Sequence, residues 1–503
     1  TLEESSRHLS KAELDKEFDS GSEIEFPELS TELIDDLALL GRVWGFLKYH
    51  HPEVAKGNFN WDYELFRILP DFLELEDLES RSLLIVNWID SLGEIEKCNS
   101  CQSNSKEAYS LVEKLQKRLL NVYKNRNQGS HFYIRKIPNV GNPEFLNENL
   151  YASDSYPDAG FRLLSLYRYW NIINYFFPSK YLIDKPWGDV LANYIPLFLG
   201  ALNELEYELA AIKLIVEIND THAQLWGDAN KIDEWKGHNY PPIHVRFIED
   251  KLVVTDYYNP ELKSVCQLEI GDIITKINGV TIDDIIEEKS PYYPASNRAA
   301  LLRNLSTDLL RSNNSEIEIH YQSLYNDVEQ SKTLTLYPRD SLDIYRWYRR
   351  NDDKSYRLLD DNIGYVTLQS ITESDVSAIK KEFKNADGII IDIRNYPRHF
   401  VVFSLGSFFV SSPTPFVKFT TGSIENPGEF SFTEPLLLSN SSETYQGKLV
   451  VLVNELTQSQ AEYTTMAFRA GDNTNVLGSV PAGADGNVST IHLPGGLKTV
   501  ISG

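Results

Sequence analysis

Residues 450–462 read Val-Val-Leu-Val-Asn-Glu-Leu-Thr-Gln-Ser-Gln-Ala-Glu, so one serine, Ser459, stands between four apolar residues and a segment, 463–469, of helical pattern. An unbroken apolar run of that length suits a parallel strand covered on both faces. Ser459 is then expected at the C-terminal edge of a sheet, beside a helix N-terminus whose free N–H groups can hold an oxyanion. Such a turn presents a hydroxyl nucleophile to an acyl carbon. Taken alone, a serine there is more often only a helix N-cap. A second loop is expected on the same edge: Asp392-Ile393-Arg394-Asn395-Tyr396-Pro397 ends the apolar run 388–393, and by itself it is a strand-terminating turn.

The elements that must position these residues fall into three regions, a multidomain organisation. From 341 to 503 strands and helices alternate, with strands at 363–368, 388–393 and 449–453 and a helix at 373–384. That pattern predicts a layered α/β domain whose strand-end loops gather at one edge. Residues 240–340 are β-rich in short segments, and at their centre Leu268-Glu269-Ile270-Gly271-Asp272-Ile273-Ile274-Thr275-Lys276-Ile277-Asn278-Gly279 carries turn signals at both ends of one strand. Any small β domain can contain such turns. The run L-x-x-G-D-x-I-x-x-I-N-G nevertheless resembles the most recognisable segment of PDZ domains, which bind extended peptides by strand addition.

Residues 1–235 are mostly helical in pattern and contain an internal repeat. Trp44, Tyr49, Pro52, Trp61, Leu65, Pro70 and Phe72 recur 126 residues later as Trp170, Tyr175, Pro178, Trp187, Leu191, Pro196 and Phe198, and Arg42 recurs as Arg168. The ungapped match over 37–73 and 163–199 implies two copies of one helix–turn–helix unit. Aromatics at helical spacing are core rather than a ligand box, so the repeat reads as scaffold.

A chain of 503 residues with 42% hydrophobic content supports several packed cores. Its 73 acidic against 48 basic residues give a net charge of −25, which repels phosphate backbones and excludes nucleic acid as a partner. No apolar stretch approaches the roughly 20 residues that span a bilayer, and residues 1–22 lack a signal-peptide core. A signal or lipid anchor already removed fits the same observation. Of the three cysteines, Cys98 and Cys101 form a C-x-x-C in a polar loop. No second pair of ligands completes a zinc site, and no βαβ pattern adjoins it for redox catalysis. A structural disulfide is expected, placing the protein in an exported, periplasmic or cell-envelope setting, with an inert thiol pair as the alternative.

A helical region, a PDZ-like module and an α/β domain with a strand–turn–serine unit resemble, in that order, the tail-specific or C-terminal processing serine proteases and the related tricorn core protease, whose catalytic domains are ClpP/crotonase-like. The similarity covers residues 210–503, and the helical repeat resembles the large N-terminal regions of Bacteroidetes homologues. Residues 389–397 look like the family's strand ending in D-x-R-x-x-P, and 451–462 like its nucleophile segment, which puts Ser459 on the catalytic serine and keeps Glu462 three residues later. Many members use a lysine about 25 residues after the serine as base, but Ala484 occupies that place and no lysine occurs from 449 to 497. The tricorn branch uses a histidine preceded by a hydroxyl residue just before the PDZ module, a pattern that Asp220-Thr221-His222-Ala223 matches.

His222 is accordingly the expected base, because a neutral imidazole takes the Ser459 proton near pH 7 and returns it to the leaving amine. His492, 33 residues beyond the serine, is a rival, and Lys498 is a base only if it folds back. Thr221 is expected to orient the imidazole, with a helix-terminal hydroxyl as the plain reading. The family's orienting glutamate lies beyond the catalytic unit, and the domain is read as truncated before the family's usual last strands, leaving Glu462 and Asp485 as visible candidates. For the oxyanion hole the backbone N–H of Gln460 is the leading donor, with a second from the loop carrying Tyr396 and Arg398, although Arg398-His399-Phe400 replaces the family's glycines. The resemblance implies a serine endopeptidase acting on peptide or unfolded protein without cofactor or metal. A catalytically silent peptide- or ligand-binding protein on the same fold is the alternative.

Overall fold

The computed structural model describes residues 9–99, 101, 113–227, 231–324, 326–348 and 353–503. In the helical region, helices begin where the sequence supplies a capping side chain: Ser30 before Thr31–His50, Asn60 before Trp61–Glu74, Asp158 before Ala159–Phe176 and Asn203 before Glu204–Val216. Each side-chain oxygen accepts an otherwise orphaned N–H of the first turn. The indoles of Trp44 and Trp61 each donate to the other's backbone carbonyl at 2.9 Å. Trp170 and Trp187 make the same reciprocal pair at 2.8 and 3.0 Å. The two long helices Thr31–His50 and Ala159–Phe176 meet at Gly41 and Gly45, where a Cβ would stand 2.5 Å from the Tyr167 ring and 1.9 Å from Asn171 Cγ. Asn171 uses that close approach to donate to the Gly41 carbonyl at 2.9 Å.

Residues 243–335 build a six-stranded antiparallel sheet that ends on the edge strand Ile243–Ile248, with the helix Arg298–Ser306 packed beside that edge. The α/β unit carries a five-stranded sheet in the order Tyr356–Leu359, Ile363–Thr367, Gly388–Asp392, Lys448–Val453, Thr474–Gly478, parallel except for the first strand. Its alternating inward residues Ile389, Ile391, Leu449, Val451 and Val453 are buried against the helices that cover it. The strands and helices expected at 363–368, 373–384, 388–393 and 449–453 therefore differ from the observed elements by a residue at an end.

Val488–Leu493 and Leu497–Ser502 form a hairpin that does not join the α/β sheet but pairs with Trp226–Gly227. Its apolar side chains Ile491, Leu493, Leu497 and Ile501 belong to the core of the helical region. A buried set of charges, Lys48, Asp62, Glu148 and Arg168, anchors this junction: Arg168 pairs with Asp62 at 2.6 Å and Glu148 at 2.8 Å, and donates to the His492 carbonyl at 2.7 Å. The span 341–503 is thus one stretch of sequence but two pieces in space.

Candidate active site

The central strands Gly388–Asp392 and Lys448–Val453 run side by side and end together, Asp392 opposite Leu452. Buried Thr457 ties the two exits: its Oγ1 donates to the Ile393 carbonyl at 2.9 Å and accepts the Asn454 N–H at 3.1 Å. The chain then turns into the helix Gln460–Arg469 through Ser459, which holds φ 57° and ψ −122°. A positive φ is costly for a residue with a Cβ and persists only where neighbours enforce it. Here the Ser459 N–H donates to the Ala484 carbonyl at 2.9 Å and to Glu462 Oε2 at 3.1 Å. The Glu462 carboxylate also accepts the N–H groups of Gly483 at 2.8 Å and Ala484 at 3.0 Å. The Ser459 side chain stands with Glu462 in the capping box of this helix. It is half-buried and faces a cleft of about 2350 Å³ between the three regions.

His222 lines the same cleft. It follows the helix Glu204–Val216 by six residues, and its segment is spliced to the serine loop: Thr221 Oγ1 donates to the Ala482 carbonyl at 2.9 Å, and the Ala482 N–H donates to the Thr457 carbonyl at 3.0 Å. Burial holds the imidazole pKa below its usual value, Asp220 and Glu462 pull it up, and Arg303 pushes it down. The net direction keeps the ring neutral, and so able to accept a proton, at pH 7. Its Nδ1 lies 2.8 Å from Ser502 Oγ. Ser502 in turn donates through Oγ to Asp220 Oδ1 at 2.9 Å and through its N–H to Oδ2 at 2.7 Å.

The six-stranded module reaches this cleft directly. Arg246 on the edge strand pairs with Glu455, and Arg303 on the adjacent helix donates to the Glu455 carbonyl at 2.8 Å, four residues before Ser459. Among the described residues no cluster suits a metal ion and no helix is long and apolar enough to cross a membrane.

Residues 362–502 match the model of peptidase family S41. That segment is a peptidase S41 domain. It is a serine peptidase of the tail-specific S41 type. Mature CPAF complexed with lactacystin has a similar structure, with a TM-score of 0.52 at 12% identity over 69% of this chain and 90% of that one. Mature CPAF gives 0.52 and 12% over 69% and 88%. At such identity the likeness is one of fold. The photosystem II D1 C-terminal processing protease has a TM-score of 0.36 at 14% identity over 68% of this chain and 87% of that one. No curated protein matches the chain by sequence.

Within this S41 peptidase the expected site residues separate. Ser459, His222, Thr221 and Tyr396 share the cleft, whereas His492 and Lys498 do not line it. Instead those two face each other across the C-terminal hairpin. Ala484 does stand beside the serine, through its carbonyl, but offers no amine. Thr221 is corrected as the orienting group: its hydroxyl bonds Ser296 and Ala482, not the imidazole. Glu462 is corrected likewise, being the clamp on three backbone N–H groups. Asp485 bonds its own neighbour's Gly486 N–H at 2.7 Å, and burial pushes its carboxyl up to about 6. The Arg398 N–H donates to the Leu368 carbonyl at 2.9 Å, which removes it as an oxyanion donor. Gln460, as the first residue of its helix, keeps an N–H outside the helical ladder. Asp220, Ser502 and Thr457 were missed. Only Asp220, two residues before the histidine, carried any local signal.

Proposed function

We propose that this S41 peptidase is an endopeptidase in which Ser459 is the nucleophile and His222 its base. One observation carries the reading: a serine in a strained strand-to-helix turn and a histidine over 200 residues away line one cleft. Serine Oγ attacks the scissile carbonyl as the imidazole takes its proton, and the oxyanion forms beside the Gln460 N–H at the helix N-terminus. The imidazolium returns the proton to the departing amine, and water, activated by the same ring, hydrolyses the acyl-enzyme. Alanine at the lysine position, with His222 in the cleft, supports a reading nearer the tricorn branch than the Ser–Lys branch.

The six-stranded module is read as PDZ-like. Its edge strand Ile243–Ile248 and helix Arg298–Ser306 flank a groove that opens into the same cleft, where an extended peptide can add as a strand. The repeated tryptophan pairs support a duplicated helical scaffold. The disulfide between Cys98 and Cys101 supports an exported location.

The test is covalent. A fluorophosphonate should label the wild-type protein stoichiometrically, Ser459→Ala should not react, and His222→Ala should lose labelling and peptide hydrolysis together, because either change disables one proton-transfer step. An unlabelled, folded wild type would establish the silent binding protein instead.

A further inference from the structure

We propose that Asp220 and Ser502, 282 residues apart in the sequence, form the positioning pair for His222 and fix its tautomer. The inference rests on the reading of Ser459 and His222 as nucleophile and base, and adds the groups within this chain that orient the imidazole.

An aspartate carboxylate only accepts hydrogen bonds, so the Ser502 hydroxyl hydrogen points at Asp220 Oδ1, 2.9 Å away. The same oxygen then offers a lone pair to His222 Nδ1 at 2.8 Å, which must carry the ring hydrogen. The neutral ring is left with its lone pair on Nε2, the nitrogen free to accept the Ser459 proton. When that proton arrives, the imidazolium keeps Nδ1–H on Ser502, and the Asp220 charge sits one hydroxyl away. No other atom changes hands: the proton moves from Ser459 Oγ to Nε2 as Oγ bonds the carbonyl carbon, then passes to the amine as the C–N bond breaks.

Backbone geometry fixes the pair in place. Asp220 also accepts the His222 N–H at 3.0 Å and the Ser502 N–H at 2.7 Å, so one carboxylate holds both residues. It is 3% exposed. The strand pairing explains how Ser502 arrives: Lys498 lies opposite Trp226, and the antiparallel strand continues toward His222, where Ser502 meets the imidazole. The charged groups acting on the imidazole are Asp220, Glu462 and Arg303. Asp220 reaches it through a hydrogen-bonded relay by way of Ser502.

The experiment uses the full chain labelled with ¹⁵N-histidine. The His222 resonances, identified by their loss in His222→Gln, should report the Nδ1–H tautomer at neutral pH, and Ser502→Ala should move them toward Nε2–H. In parallel kcat should fall by roughly 10²-fold in Ser502→Ala, with KM unchanged, while Ser502→Thr, which keeps the hydroxyl, restores it. Asp220→Asn should move the acidic limb of kcat/KM to lower pH, because the carboxylate raises the His222 pKa. A wild-type Nε2–H tautomer overturns the proposal whatever the activity. So do wild-type kcat in Ser502→Ala, or equal losses in folded Ser502→Ala and Ser502→Thr. Failure of wild-type fluorophosphonate labelling would instead strike the nucleophile reading, and the tautomer would still be read.

Discussion

Replacing Ser459 by glycine should make the protein more stable than replacing it by alanine, although both variants are equally dead. The perturbation isolates the backbone. Alanine keeps the Cβ that clashes at φ 57° and ψ −122°, glycine does not, and both variants lack the hydroxyl, so its loss cancels in the comparison. Relief of a sparsely populated conformation is worth about 1–3 kcal/mol. Against it stands the extra unfolded-state entropy of glycine, roughly 0.5–1 kcal/mol. The difference should favour glycine by roughly 0.5–2 kcal/mol, near a fivefold change in the opening equilibrium at about 1 kcal/mol. The readout must sit in the right unit. Seven of the eight tryptophans lie at or before residue 235, and the eighth, Trp347, packs on His244 and Tyr258 beside the six-stranded module, so intrinsic fluorescence reports the other two regions. Hydrogen exchange over the strand Lys448–Val453 and the helix Gln460–Arg469 reads the strained turn itself. Slower exchange in Ser459→Gly than in Ser459→Ala is the expected result. Equal protection, or better protection in the alanine variant, would refute the view that the fold stores strain at its nucleophile.

Two further predictions test the framework around the site. Gly45→Ala should destabilise the helical region by about 2–4 kcal/mol, since the new Cβ would overlap Asn171 and break a buried hydrogen bond; fluorescence-monitored urea unfolding checks it, with Gly188→Ala, whose Cβ meets nothing, as the near-neutral control. Asp485→Asn should raise stability at pH 7.5 and lose that advantage as pH falls. The Asp485 pKa is raised to about 6 in the folded chain against 3.8 ordinarily, so its stabilising contribution is full below about 3.8 and is lost as pH rises through about 6. Denaturant midpoints across that window are the measurement, and an advantage that grows toward low pH contradicts the assignment.

Local pattern was enough to read the strands that end at Asp392 and Val453, the helix after Ser459 and the alternation of the last region, because a strand covered on both faces needs an unbroken apolar run whatever lies beyond it. The family followed from the same segments, since the residues that end a strand and open a helix lie within a dozen positions of each other. What the sequence did not contain was the partner of each polar group. Thr221 looked like the orienting hydroxyl by adjacency, yet a side chain next to the histidine in sequence points elsewhere, and Ser502, 280 residues away, takes the place. Arg398 looked available until its N–H was found on Leu368. The C-terminal hairpin follows the α/β strands in sequence but buries its apolar face against helices, which carries Ser502 to His222. Apolar periodicity is a property of neighbours along the chain, so the sequence by itself determined the elements and the turn that carries Ser459; hydrogen-bond pairing is a property of neighbours in space, so only the tertiary structure decided which hydroxyl meets the imidazole and which carboxylate holds that hydroxyl.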